Sequence, residues 1–76
     1  MPREKNFCTS DLVLSALLKV NDFKLLRLDR DGSKSVFVFE EKEERPEIVM
    51  RFINRAMTVE PIRFMEEIRN LKSLTR

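Results

Sequence analysis

The residues able to do chemistry are few, and their spacing decides most of what they can mean. Asp29-x-Asp31-Gly32-Ser33, with Glu40 eleven residues after Asp29, echoes a calcium loop. An EF-hand loop, however, puts its glycine at position six, and here Gly32 falls at position four, ahead of a run that reads as a strand. Turn chemistry accounts for the same residues. Glu40, Glu41, Glu43, Glu44 and Glu47 gather beside Pro46, where a solvated connector is the simpler reading than an acid/base pair. Cys8 is the only thiol and histidine is absent, so neither an internal disulfide nor the usual zinc sets can be assembled. No base accompanies Cys8 to make it a nucleophile, and a packing role is expected of it. With a single glycine, no phosphate-cradling loop is available. No metal, no cofactor and no catalytic residue are therefore expected.

Basic side chains are the remaining polar candidates. Arg51, Asn54 and Arg55 fall on one face of an expected helix, and Arg69, Lys72 and Arg76 on one flank of the next. Side by side, those faces would make a phosphate-neutralising patch. The six aromatic residues are all Phe and nearly all sit at core positions, so no stacking platform accompanies the patch, and Glu66 and Glu67 dilute it. A net charge of +2 adds nothing to the case by itself. The charge is distributed unevenly: residues 40–47 carry −3 and residues 48–76 carry +3. A charged fraction of 37% and the absence of Gln resemble thermophile compositions.

The elements that must position these groups begin with Asp11–Val20, apolar around nearly its whole circumference. At about 100° per residue only Asp11, Ser15 and Lys19 leave a narrow polar strip, so this helix needs cover on most sides. Thr9 reads as its N-cap, with Cys8 stapled against Val13, and Asn21 as the left-handed residue that ends it. Phe23–Leu28 and Ser35–Glu40 flank Asp31-Gly32 as a β-hairpin with a type I′ turn. A two-residue loop pairs Leu26 with Phe37 and Leu25 with Val38; a three-residue loop pairs Leu28 with Val36 and Lys24 with Glu40. Both registers stay open. Val36 and Val38 lie on one face of the second strand and Phe37 and Phe39 on the other, so the sheet also wants cover twice.

Pro46 falls in the first turn of a helix running from about Glu47 to Met57, which would bury Ile48, Val49, Phe52, Ile53 and Ala56. Pro61 restarts a last helix with Phe64, Ile68 and Leu71 on one face and Met65 and Leu74 at its margins. The expected architecture is an α+β single domain over residues 1–76, ordered helix, β-hairpin, helix, helix in a small two-layer arrangement, with residues 1–6 a flexible lead. No run approaches the roughly 18 apolar residues of a membrane span and no signal segment is visible, so a soluble cytoplasmic protein is expected.

A chain this short closes its core with little to spare, since a domain near this size buries only about 60–65% of its unfolded surface. The excess of apolar faces therefore points to a homo-oligomer or another protein partner, with Leu14, Leu18, Phe37 and Phe39 the candidate interface. Nucleic acid bound by the basic helix faces is the alternative, and no membrane partner is expected.

The order Phe7-x-Thr9-Ser10-Asp11-Leu12, a leucine-rich helix, Phe23-Lys24-Leu25-Leu26, Val36-Phe37-Val38-Phe39-Glu40, Phe52, Val59-x-Pro61-x-x-Phe64 and Leu71-Lys72 resembles a family of short uncharacterised prokaryotic and phage-associated proteins, classed only as a domain of unknown function. The resemblance runs from Phe7 to Leu74 and rests on packing and capping residues. It departs where Val20-Asn21-Asp22 stands in place of an expected glycine at the end of the first helix. The resemblance implies the domain outline and no activity or catalytic residue.

Overall fold

The computed structural model describes residues 6–75. The elements are strand β1 (Asn6–Thr9), helix α1 (Leu12–Val20), strands β2 (Leu25–Asp31) and β3 (Lys34–Glu40), and helices α2 (Arg45–Ile53) and α3 (Pro61–Leu74). The order helix, hairpin, helix, helix holds, and one strand precedes it. Residues 1–5 of the expected flexible lead lie outside the described residues, but its last residue, Asn6, opens β1.

That strand corrects the start of α1. Thr9 pairs with Phe37 across an antiparallel ladder between β1 and β3, so the chain cannot turn into a helix until it leaves the sheet. The N-cap is Asp11: its Oδ1 accepts the Leu14 N–H at 2.9 Å, while the Thr9 Oγ1 accepts the Asp11 N–H at 3.1 Å. Cys8 is consequently a strand residue opposite Val38, exposed, and not a staple for Val13.

β3 is the central strand, in the order β1-β3-β2. Two neighbours explain why it is apolar on both faces. Phe37 and Phe39 point to the core together with their cross-strand partners Leu28 and Leu25, while Val38 sits on the opposite face between Cys8 and Arg27.

Near its turn the hairpin adopts neither expected register. Asp31 pairs with Lys34, which makes Gly32-Ser33 the loop, and Leu28 faces Phe37. Only Gly32 has positive φ (65°) in that loop, the pattern of a type II′ turn and not of type I′, which needs both central residues there. An irregularity at Leu26 then shifts the pairing by one residue, so Leu25 meets Phe39 and the Glu40 N–H donates to the Lys24 carbonyl at 3.1 Å. At this far end the strands follow the register of the three-residue loop, because the bulge absorbs the difference.

At the middle of α1, Leu14, Ser15, Ala16, Leu17 and Leu18 are all buried. Five consecutive residues exceed one helical turn, so the helix is enclosed on every side there. Ser15 falls on the polar strip of the sequence pattern; it is buried because its hydroxyl donates to the Asp11 carbonyl at 2.8 Å and needs no water. α3 packs along α1, α2 reaches α1 through a smaller contact, and no comparable contact joins α2 to α3. Phe23, Ile48 and Leu71 complete the core with residues of α1 and β3.

Both α1 and α2 end in left-handed residues that are not glycine. After α1, Asp22 (φ 67°) donates its N–H to the Lys19 carbonyl and the Phe23 N–H reaches the Leu18 carbonyl, each at 3.0 Å. This is a Schellman motif, and Leu18 and Phe23, the two residues of its longer bond, are both buried in the core cluster. Asn21, expected in the left-handed position, is the C-cap one residue earlier, at φ −91°. After α2, Arg55 (φ 57°) donates to the Phe52 carbonyl at 3.1 Å and Ala56 to the Arg51 carbonyl at 2.8 Å. The second motif stops α2 four residues short of the expected Met57, which leaves Ala56 outside the helix and Ile53 exposed.

Candidate interaction surfaces

The side chains expected to form an interface between copies are consumed by the core. Leu14 and Leu18 are 6% and 0% exposed, and Phe37 and Phe39 are 2% and 0% exposed, all within one cluster of a single chain. β1 supplies the missing cover: by pairing with β3 it widens the sheet, and Phe7 packs against the same core. A contact with a partner must use other residues.

The expected basic faces separate for a similar reason. Arg51 donates to Glu47 at 2.7 Å one turn away on α2, Asn54 is the C-cap of that helix, and Arg55 occupies the left-handed connector. Arg69 and Lys72 lie three residues apart on the exposed side of α3, and α2 makes no contact with α3 comparable to that of α1. Arg76 lies outside the described residues. What the fold brings together is therefore Arg69 and Lys72 with Met65 and Ile68, the described residues lining a groove of about 310 Å³ along α3.

The placement of α3 follows from its N-terminus. Glu60 caps it by accepting the Arg63 N–H at 2.7 Å and the Ile62 N–H at 3.1 Å, with Pro61 in the first turn. The Arg63 guanidinium donates to Asp22 Oδ1 at 3.0 Å, tying this turn to the end of α1. Leu71 is buried, Phe64 and Ile68 are partly buried against the core, and the opposite side of the helix faces outward. On that side Ile62 is 66% and Met65 60% exposed, with Glu66, Arg69 and Ser73 beside them. On α2, Met50 and Ile53 are similarly exposed.

The acidic connector is more structured than a solvated run. Glu41 receives a forked pair of bonds from Arg45, at 2.9 Å from Nε and 2.8 Å from Nη2, and the guanidinium carbon lies 4.5 Å from the centre of the Phe7 ring. The hydrogen bond to Glu41 raises the Arg45 pKa against the opposing effect of burial, so the group stays charged. Lys42 covers the Phe23 ring at 4.7 Å. These two cation–π contacts place charged residues of the 41–45 segment over the aromatic edge of the core. The sequence suggested neither contact, since Phe7 and Phe23 are distant in the chain from their cations.

A second hollow, about 290 Å³, lies toward the hairpin turn between Ser10, Leu12, Lys34, Ser35, Phe37 and Thr75. Asp29, one of the residues of the calcium-like spacing, accepts from Arg27 at 3.1 Å. Among the described residues, no group of three or more carboxylates or thiols is arranged to hold a metal ion. No described helix is long and apolar enough to cross a membrane.

The fold and its surfaces thus define a small α+β domain with a closed core and an amphipathic helix turned outward. The chain belongs to a family described as a domain of unknown function, DUF5659, whose model matches residues 4–76. No curated protein and no solved structure matches it.

Proposed function

We propose that this chain is a small non-catalytic interaction module that acts by binding protein, first of all a second copy of itself. The observation that carries the reading is the outward display of Met50, Ile53, Ile62 and Met65 on α2 and α3 beside a core that is already complete. Isolated exposed apolar residues are ordinary, but two pairs of large ones three residues apart, Met50 with Ile53 on α2 and Ile62 with Met65 on α3, favour covered helix faces. Methionines suit such a role because their unbranched side chains adapt to a partner. The reading places the chain in a reducing cytoplasm, which the single unpaired Cys8 supports, and in a prokaryotic or phage-associated family.

Sedimentation velocity over a concentration series tests it: the weight-average mass rises with concentration, and a strict monomer up to about 1 mM refutes self-association, since weaker contacts hold less than about 4 kcal/mol. Nucleic acid is the second reading. Arg69 and Lys72 favour it, while the ion pair at Arg51 and the separation of α2 from α3 weaken it. Its signature is salt-dependent retention of DNA or RNA, and no retention at low salt removes it.

A further inference from the structure

We propose that the outward face of α3 is an isologous dimer contact: two copies pack antiparallel about a two-fold axis that passes between their α3 helices, level with the step from Glu67 to Ile68. This rests on the self-association reading above and specifies its surface and geometry.

The spacing of the exposed stripe motivates the geometry. Ile62, Glu66, Arg69 and Ser73 are separated by four, three and four residues, so at about 100° per residue they fall within roughly 60° of arc, opposite the core-facing Phe64 and Leu71. The spacing reads the same in both directions. Reversed about its midpoint, the stripe places Glu66 level with the partner's Arg69, Arg69 level with the partner's Glu66, and Ile62 level with the partner's Ser73. Glu66, Arg69 and Lys72 join no ion pair within the chain among the described residues, which leaves both signs of charge free for a partner. A two-fold contact requires this self-complementarity, because each patch must meet itself.

The groove supplies the apolar part. A two-fold axis perpendicular to the helices keeps each flank of the stripe on the same side, so Met65 approaches the flank that carries the partner's Met65, Ile68 and Lys72. At 1.5 Å rise per residue it arrives level with position 70, between Ile68, Arg69 and Lys72 of the partner, where the groove of about 310 Å³ lies. The reciprocal knob fills the other groove. Parallel packing would set Arg69 against Arg69 and Glu66 against Glu66, so charge selects the antiparallel arrangement. One helix face is a small interface, and a weak, concentration-dependent dimer is expected.

The test uses the full chain with Glu66→Arg and Arg69→Glu, both at exposed positions, and circular dichroism confirming that each variant folds. Analytical ultracentrifugation of the wild type, each variant alone and their equimolar mixture gives the result. Each variant sets like charges together twice and dimerises about ten-fold more weakly or worse. In the mixture the two basic side chains that Glu66→Arg presents meet the two acidic side chains that Arg69→Glu presents, and wild-type association returns. A wild type that dimerises with both variants unaffected overturns this surface and leaves self-association standing. Two weakened variants whose mixture stays weak overturn the antiparallel register. A wild-type chain monomeric up to about 1 mM overturns the surface and the self-association reading together.

Discussion

Replacing Arg55 by glycine is expected to stabilise this domain, an outcome opposite to that of most substitutions. Arg55 holds φ at 57°, where a side chain with a Cβ crowds its own carbonyl, and the Arg55 and Ala56 N–H groups close the end of α2 in that conformation. Left-handed geometry costs a non-glycine residue about 1–2 kcal/mol. Glycine also loosens the unfolded chain, which takes back about 0.4–1 kcal/mol. The net gain is about 0.5–1 kcal/mol, or about 2–8 °C in melting temperature for a domain of this size. The Arg55 side chain is exposed and makes no ion pair among the described residues, so nothing on the other side of the balance is lost. Arg55→Ala keeps the strained φ and should leave stability unchanged. Asp22→Gly relieves the same conformation after α1 but removes the ion pair with Arg63, an exposed contact of about 0.2–1 kcal/mol, so its net effect is near zero. Urea unfolding of dilute protein, where association does not contribute, ranks Arg55→Gly above wild type, Arg55→Ala and Asp22→Gly. If Arg55→Gly is no more stable than wild type, or if Arg55→Ala gains as much, the left-handed cap is not the source of strain.

Three further outcomes follow from the packing. Asp11→Ala should cost about 0.5–2 kcal/mol in thermal unfolding through loss of the N-cap bond, and Thr9→Ala clearly less; the reverse ranking would restore Thr9 as the cap. Leu18→Ala, at a fully buried position against Phe23, should cost about 2–5 kcal/mol, a large part of the roughly 4–11 kcal/mol expected of a domain this long, while the exposed Val13→Ala should change urea stability by less than about 0.5 kcal/mol. Arg45→Met removes the fork on Glu41 and the stack on Phe7 and should lower stability by about 1–2 kcal/mol; Arg45→Lys recovers only part of it, and full recovery by lysine would show that the planar fork contributes nothing.

The helices were legible in the sequence because their signals are local: an apolar period, a capping residue, a proline in the first turn. The apolar character of α1 called for cover on most sides, and the helix is buried even at Ser15 on its polar strip. What stayed hidden was β1, a short strand that ends at Thr9 and runs directly into Ser10-Asp11, so that Thr9-Ser10-Asp11 has the composition of a helix start. A strand that short is defined by its pairing with β3, far along the chain, and not by a pattern of its own. The apolar faces of β3 were visible, but read as a demand for a partner instead of as the mark of a central strand. The same distance effect applies to the surface. Arg51 and Arg55 looked like neighbours on a helix until the Schellman motif stopped α2 at Ile53, and nothing in either helix announced that α2 and α3 would not lie side by side. On α3 the period was intact, so Arg69 and Lys72 lie on its exposed side, while the Glu60 cap, the Arg63–Asp22 ion pair, exposed Ile62 and the groove beside Met65 were missed.

The most direct measurement of the central claim is a dilution series of backbone amide spectra from about 1 mM downward, across the range where a one-helix interface dissociates. Self-association through α3 predicts concentration-dependent shifts concentrated at Ile62, Met65, Glu66, Arg69 and Lys72, with Val13 and Leu26, exposed but elsewhere on the domain, unchanged. Spectra that do not change with concentration, or shifts that avoid α3, would contradict it.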